Sequence, residues 1–291
     1  MERIYQNKSK VIKWTVMVLL LVWLIWSNVT VQLTALTVVD KDLPAGFNGY
    51  KIAQVSDLHN AQFGQNNSAL IKLLKEQAPD IIVITGDVVD SERTNVDAAV
   101  NFAKQAAEIA PCYYVTGNHE GWLKDDHEEG GAEQYDKLEQ AFVQTGVSVL
   151  HDEAILLEQN GQRIQLIGMD DPTYRMEVES APFRSKLQEL RSEDKFTVLL
   201  SHRPEMFETY VKEQVDIVFT GHAHGGQVRI PFVGGLVAPG QGFLPEYDAG
   251  TYTDGTTTMV VSRGIGNSMV PIRVNNRPEL VVVELQNDEQ E

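Results

Sequence analysis

Residues 221–227 read Gly221-His222-Ala223-His224-Gly225-Gly226-Gln227. The apolar run Ile217-Val218-Phe219-Thr220 leads straight into them. Such a run followed by glycines reads as a buried strand ending in a tight loop, the place where an α/β sheet carries its working side chains. The glycines let the backbone come close to an ion or a phosphate. His222 and His224, two residues apart, can give both imidazoles to one metal, or one each to two metals.

The same arrangement recurs upstream. Asp57 and His59 follow the apolar run Ile52–Val55, and Gly86-Asp87 follows Ile81–Ile84. Gly117-Asn118-His119-Glu120 follows Tyr113-Tyr114-Val115, and His202 follows Val198-Leu199-Leu200. Five apolar strands therefore end in Asp, Asn or His, and of the seven histidines only His127 and His151 fall elsewhere. This clustering points to a metal centre at the strand ends.

With 291 residues the chain is long enough to bury a core. Its formal charge of −17 is unevenly spread. Arg3, Lys8, Lys10 and Lys13 stand against Glu2 at the N-terminus, no charge occurs from Trp14 to Val39, and the remainder holds 20 of the 24 basic and 40 of the 41 acidic residues. So acidic a domain is a poor nucleic-acid binder, because phosphate affinity comes mainly from Lys and Arg. Bound dications would offset part of that charge. The single cysteine, Cys112, excludes an internal disulfide and reads as a buried, inert thiol.

Residues 1–10 read as a short cytoplasmic basic segment and 11–28 as a transmembrane anchor, with Lys13 able to snorkel and Trp14, Trp23 and Trp26 suited to the membrane boundary. The basic flank places the rest of the chain on the extracytoplasmic side. A cleaved signal peptide is the competing reading, but no convincing small-x-small site follows Trp26. Alternation from Val29 to Val39 predicts a strand. Strands are then expected at 52–56, 81–85, 113–116, 147–150, 154–158, 163–168, 196–201, 215–220, 258–262 and 280–285, with helices at 67–77, 95–109, 133–144 and 182–191. Residues 29–286 thus form one α/β catalytic domain, followed by an acidic tail over 287–291. The Trp and Tyr residues outside the anchor are expected in the core.

The ordered set Asp57-x-His59, Gly86-Asp87, Gly117-Asn118-His119-Glu120, His202 and Gly221-His222-x-His224 resembles the calcineurin-like metallophosphoesterase superfamily. The match covers roughly residues 50–230. Gly225-Gly226-Gln227, Ser262–Asn267, Pro271-Ile272-Arg273 and Asn276-Arg277-Pro278 extend it toward the membrane-associated, YkuE/YaeI-like bacterial branch. The resemblance implies a four-layer αββα sandwich of two facing mixed β-sheets with a dinuclear metal centre. It implies that Asp57, His59 and His224 hold one metal, that Asn118, His202 and His222 hold the other, and that Asp87 bridges them. Mixed nitrogen and oxygen donors suit Mn, Fe or Zn. By the same resemblance His119 is the general acid and Asp90 the residue that orients it, although Asp90 also reads as a helix-starting turn residue with Ser91. In the Ser/Thr phosphatase relatives an arginine directly follows this aspartate; Ser91 stands there instead, with Arg93 two further on, which argues against a protein phosphatase.

Arg203 reads either as a phosphate contact or as half of a surface pair, and Arg263 and Asn267 as loop residues that line the site. His127 lies in an acidic stretch and reads as a solvated loop residue, and His151 as a surface residue after a strand. The protein expected is a membrane-anchored phosphohydrolase with its N-terminus cytoplasmic. It would act as a phosphodiesterase or pyrophosphatase on a small or lipid-linked envelope substrate, because a tether raises the local concentration of membrane-borne substrates. The resemblance adds a specific case, the pyrophosphate of a UDP-linked acylated sugar. A phosphomonoesterase of broad specificity and a non-catalytic metal-binding scaffold are the alternatives. The scaffold fits poorly with a set of seven filled ligand positions and a filled acid position. The oligomeric state is left open.

Overall fold

A computed structural model describes residues 2–127, 129–172, 180–268 and 270–288. The chain opens with helix α1 (Glu2–Val29), longer than expected, and the first strand starts only at Gln32. Side chains close the helix end: the Thr30 hydroxyl donates to Trp26 O at 2.8 Å and the Asn28 amide to Leu24 O at 2.8 Å. These bonds hold residues that alternate like a strand inside the last helical turn. Lys8–Val29 is long and apolar enough to cross a membrane, and almost none of it is buried.

The body is two six-stranded mixed sheets. The first contains β1 (Gln32–Val39), β2 (Tyr50–Val55), β3 (Ile81–Thr85), β4 (Cys112–Val115) and β5 (Ser148–Val149). The second begins with β6 (Glu153–Gln159), β7 (Gln162–Gly168), β8 (Thr197–Leu200) and β9 (Ile217–Thr220). Two small hairpins follow, β10 (Arg229–Ile230) with β11 (Gly234–Gly235) and β12 (Val237–Ala238) with β13 (Gly242–Phe243). Strands β14 (Gly250–Asp254) and β15 (Thr257–Val261) return to the second sheet, and β16 (Glu279–Gln286) to the first. The strand orders are β1-β16-β2-β3-β4-β5 and β14-β15-β9-β8-β7-β6. The parallel set β2-β3-β4 faces the parallel set β15-β9-β8-β7, so their C-terminal ends share one edge of the sandwich.

A strand turns successive side chains to opposite faces, and here both faces are buried, which is why the strands read as continuous apolar runs. Ile81 and Val83 of β3, Val198 and Leu200 of β8, and Ile217 and Phe219 of β9 point into the layer between the sheets. Ile82 and Ile84 turn the other way, under α2 (Ser68–Glu76), α3 (Val96–Ala107) and α5 (Gly131–Thr145). Leu199 and Val218 turn outward under α6 (Ser180–Leu190) and α7 (Phe207–Lys212). The result is the four-layer α/β sandwich. Truncating any of these fully buried side chains to Ala costs about 2–5 kcal/mol. Two short helices escape the sequence pattern, α4 (Asn118–Lys124) and α7. Each is too short to show a helical period. Of the expected acidic tail, residues 289–291 lie outside the described residues.

Candidate metal centre

Every strand end singled out by the sequence delivers its residues to the shared edge. Asp57 and His59 come from the loop after β2, Asp87 from that after β3, and Asn118 and His119 from the first turn of α4 after β4. The facing sheet supplies His202 after β8 and His222 and His224 after β9. The Gln54 amide joins the sheets beneath them, donating to Thr85 Oγ1 at 2.9 Å and to Thr220 O at 2.8 Å. The loops are tightly wound: Asp57, His59, Asp87, His222 and His224 all take left-handed φ values between 44° and 63°. Non-glycine residues in that region cost free energy that the surrounding structure must offset, and such residues gather at functional sites. At Gly221 a Cβ would overlap Ser56 Oγ and Asp57 Oδ2, so no larger residue fits.

Among the described residues the metal-competent side chains form three overlapping groups, one of them His59, Asp90 and His119, joined through Asp87 and His59. Asp57, His59, Asp87 and His224 converge within 4.8 Å, and so do Asp87, His202 and His222. His59 Nε2 lies 3.2 Å from His224 Nε2 and 3.6 Å from Asp87 Oδ2, while His224 Nε2 is 3.5 Å from Asp57 Oδ1. His202 Nε2 lies 3.1 Å from Asp87 Oδ2, its ring oriented by an Nδ1 bond to Thr85 O at 2.7 Å. Asn118 Oδ1 is buried and accepts no hydrogen bond from any described residue. An orphaned buried acceptor costs about 1–3 kcal/mol. A cation at this point would satisfy Asn118 and separate the crowded imidazole nitrogens, so the donor set fits divalent metal ions.

The electrostatics suit the same purpose at three of the four histidines, while at His202 burial, which would lower the imidazole, is outweighed by Asp87, which raises it to about 10. Burial drives His59 and His224 down to about 3 and His222 well below its ordinary value, the last with Arg203 adding to the effect. Neutral imidazole is the form that binds a metal. Burial would raise Asp87, but His202 and His119 beside it hold the carboxyl well below the usual range. Glu120, fully buried and absent from the expected site residues, is pushed up to about 7 by burial and by Asp87. Its carboxylate accepts the Asp87 and Gly117 N–H groups at 2.8 Å each and the Val89 N–H at 3.2 Å, clamping the Asp87 loop to the start of α4. The signal was its place in the Gly117–Glu120 motif.

His119 lies edge-on to His59, with ring centroids 4.6 Å apart. Asp90 does not make the hydrogen bond expected of it. Its carboxylate accepts from Arg93 at 2.8 Å and from the Glu92 and Arg93 N–H groups, as a turn-forming residue does. Ser91 holds His119 instead, its N–H and Oγ each 3.0 Å from His119 Nδ1. Arg203 is not half of a surface pair: it is buried, with Nε 2.8 Å from Asp171 Oδ2, and its guanidinium approaches His222 Nε2 at 3.3 Å. Arg263 is held by Glu279 at 2.7 Å. Asn267 accepts from Arg273 Nε at 2.8 Å and donates to Pro271 O. A buried cation needs such partners, which is why these side chains are engaged within the protein. Arg273 itself, fully buried, places its guanidinium 3.4 Å from His224 Nδ1 and bonds Arg263 O and Gly266 O. His127 is exposed as expected. His151 is not simply a surface residue, since it bridges Glu139 at 2.7 Å and Asp170 at 2.9 Å. Trp122 is no core residue either: it is 37% exposed, its ring 4.8 Å from that of His119.

Residues 50–226 match the Calcineurin-like phosphoesterase family. The chain is 29% identical over 260 residues to the Uncharacterized metallophosphoesterase YkuE of Bacillus subtilis, covering 88% of this chain and 85% of that protein. It is 29% identical over 239 residues to the Phosphodiesterase YaeI of Escherichia coli, covering 81% and 82%. Among solved structures, a Thermus thermophilus sulfate thiohydrolase, SoxB, shares the fold with a TM-score of 0.50 at 12% identity, over 84% of this chain and 58% of that one.

Proposed function

The chain belongs to the calcineurin-like phosphoesterase family and is a metallophosphoesterase, and from this premise we propose that it is a membrane-anchored, dinuclear phosphodiesterase or pyrophosphatase acting on a small or lipid-linked envelope substrate. The observation that carries the reading is Asp87, common to the two groups that together contain the expected Asp and His ligands. In this reading Asp57, His59 and His224 hold one ion and Asn118, His202 and His222 the other, with Asp87 between them. Two divalent ions there, Mn, Fe or Zn by the donor set, would supply Lewis acidity toward the phosphoryl oxygens and lower the pKa of the attacking water.

The chain's own residues then do three things. The left-handed loops and the Glu120 clamp fix the ligand atoms before substrate arrives, so little reorganisation is needed. His119 delivers a proton to the leaving oxygen. The Ser91 N–H can only donate, so it orients the ring through Nδ1 and leaves Nε2 as the nitrogen that carries the proton given up. Arg203 and Arg273 brace His222 and His224 from behind. A relative named as a phosphodiesterase supports the diester reading.

The anchor reading rests on α1 and on how it ends. Its last turn is tied to the domain, with Asn28 Nδ2 2.9 Å from Arg273 O and the Arg277 guanidinium 4.4 Å over the Trp26 ring. A segment destined for cleavage has no use for such ties. The basic flank then puts residues 1–10 in the cytoplasm and the domain outside.

The test uses the purified full chain in detergent, stripped of metal and reloaded with Mn²⁺ or Zn²⁺. Diester turnover is expected to vanish and return. His119→Ala should lose about 10²–10⁴-fold on alkyl esters, whose leaving groups need a proton, and far less on nitrophenyl esters. Turnover that survives stripping, or an equal loss on both esters, overturns the assignment.

A further inference from the structure

The apolar side chains left outside the core are not scattered. Besides α1, the large exposed ones among the described residues gather on two neighbouring stretches, with only Val39, Trp122, Val143 and Leu156 elsewhere. The hairpins β10–β11 and β12–β13 carry Phe232 at full exposure and Phe243 at 68%. The loop before β16 carries Val270 and Ile272, each about half exposed. No charged residue occurs from Ile230 to Pro245 or from Gly264 to Ile272, in a chain of net charge −17.

Hydrogen bonds join these stretches to the foot of α1. Asn28 exchanges two bonds with the Arg273 backbone, at 2.9 and 2.8 Å. The Gln227 amide donates to Val270 O and Ile272 O at 2.8 and 2.9 Å, and Val228 bridges Val274 just before the first hairpin. The same loop reaches the metal centre on its other side, where Ser268 Oγ is 3.2 Å from His119 Nε2. One connected surface thus runs from the end of the helix, past the general acid, to the tips of both hairpins.

We propose that this surface lies in the interfacial layer of the bilayer that α1 crosses, so that the cleft beside His119 opens at the membrane surface. The proposal rests on reading α1 as an anchor. A bilayer is the occupant because the patch is continuous with the end of that helix. The contact must be apolar, since a domain this acidic is repelled by anionic headgroups, and uncharged loops tipped with Phe suit interfacial depth. An amphiphilic phosphoester then meets the centre without leaving the membrane.

The experiment places an environment-sensitive fluorophore on the full chain at Phe232→Cys, Phe243→Cys or Val143→Cys. The buried native thiol of Cys112, pushed up to about 12, stays unlabelled. Each labelled protein is checked for turnover of a soluble diester and then reconstituted in phosphatidylcholine–phosphatidylglycerol vesicles. Lipid-borne nitroxide is expected to quench positions 232 and 243 by roughly half or more and to leave position 143 unchanged, while aqueous iodide does the reverse. Iodide quenching at all three positions overturns the proposal. Shielding of 232 and 243 from both quenchers overturns it in favour of a protein contact. Carbonate washing of the same vesicles separates the premises: release of the chain removes the anchor reading and this one with it, while retention with iodide-quenched hairpins removes this one alone.

Discussion

At His119 a backbone group does the work expected of a carboxylate. The Ser91 N–H fixes the imidazole whatever side chain residue 91 carries, and Asp90 spends its oxygens on Arg93 and the turn. Asp90→Asn keeps the turn and gives up an ion pair whose Arg93 partner is 63% exposed. Such a pair contributes less than about 1 kcal/mol, so turnover should stay within about twofold of the parent, against the 10²–10⁴-fold loss expected for a group acting on the proton. Steady-state rates on an alkyl diester decide it, and a loss approaching that of His119→Ala would restore Asp90 to the orienting role. Cys112 allows a second prediction at this scale. Burial pushes its thiol up to about 12, so the native protein should react with iodoacetamide at pH 8 no faster than it unfolds, and the denatured chain at once.

At the scale of elements, helix ends and cross-links set local stability. Asn95 caps α3, its side-chain oxygen 3.0 Å from Ala98 N. Asn95→Ala should cost about 1 kcal/mol and lower Tm by about 2–4 °C in calorimetry. His151 joins α5 to the end of β7 through Glu139 and Asp170. Donating hydrogen bonds to Asp170 and Glu139 raises its pKa from 6.5 to about 10. Below pH 6.5 folded and unfolded chains are both protonated there, and the contribution of the link is whole. As the pH rises from 6.5 toward about 10 the unfolded chain has already released its proton, so the contribution shrinks, and it is gone above the folded value. The parent's Tm should therefore fall more steeply from pH 7 to 10 than that of His151→Gln. The elements themselves were largely legible, because an apolar run of strand length capped by Gly, Asp or His is a local signal, and five such runs lead to the residues proposed as ligands. What was not legible is non-local. Nothing near Gln32 says that β1 pairs with β16. Nothing near Arg203 or Arg273 says that each is buried against a histidine, since a charged residue beside a motif reads as a ligand contact until its carboxylate or carbonyl partners are known. Ser91 reads in the sequence as a turn residue, and nothing local says that its N–H and Oγ both meet His119.

For the whole molecule the decisive point is that the proposed metal donors come from both sheets. Asp57, His59, Asp87 and Asn118 stand on one, His202, His222 and His224 on the other, and the layer between the sheets is mostly apolar, with the Gln54 bonds as a polar link beneath the site. Unfolding separates the two sets completely, so ions bound by the native state stabilise it in proportion to their concentration. At about a thousand times the dissociation constant one site contributes about 4 kcal/mol, which is a large share of a net stability of about 5–15 kcal/mol. Removing the ions leaves Asn118 Oδ1 orphaned and the His59 and His224 nitrogens facing each other at 3.2 Å, so the stripped protein should lose more than the binding energy of a flexible surface site. Calorimetry of the full chain, stripped and then titrated with Mn²⁺, should show Tm rising with the logarithm of free metal, and Asp87→Asn should flatten the rise. That variant removes the charge held between the two groups of donors, so both ions weaken together. If Asp87→Asn instead loses one step of the titration and keeps the other at full strength, Asp87 serves a single ion, and the dinuclear centre divides into one intact site and one that depends on it.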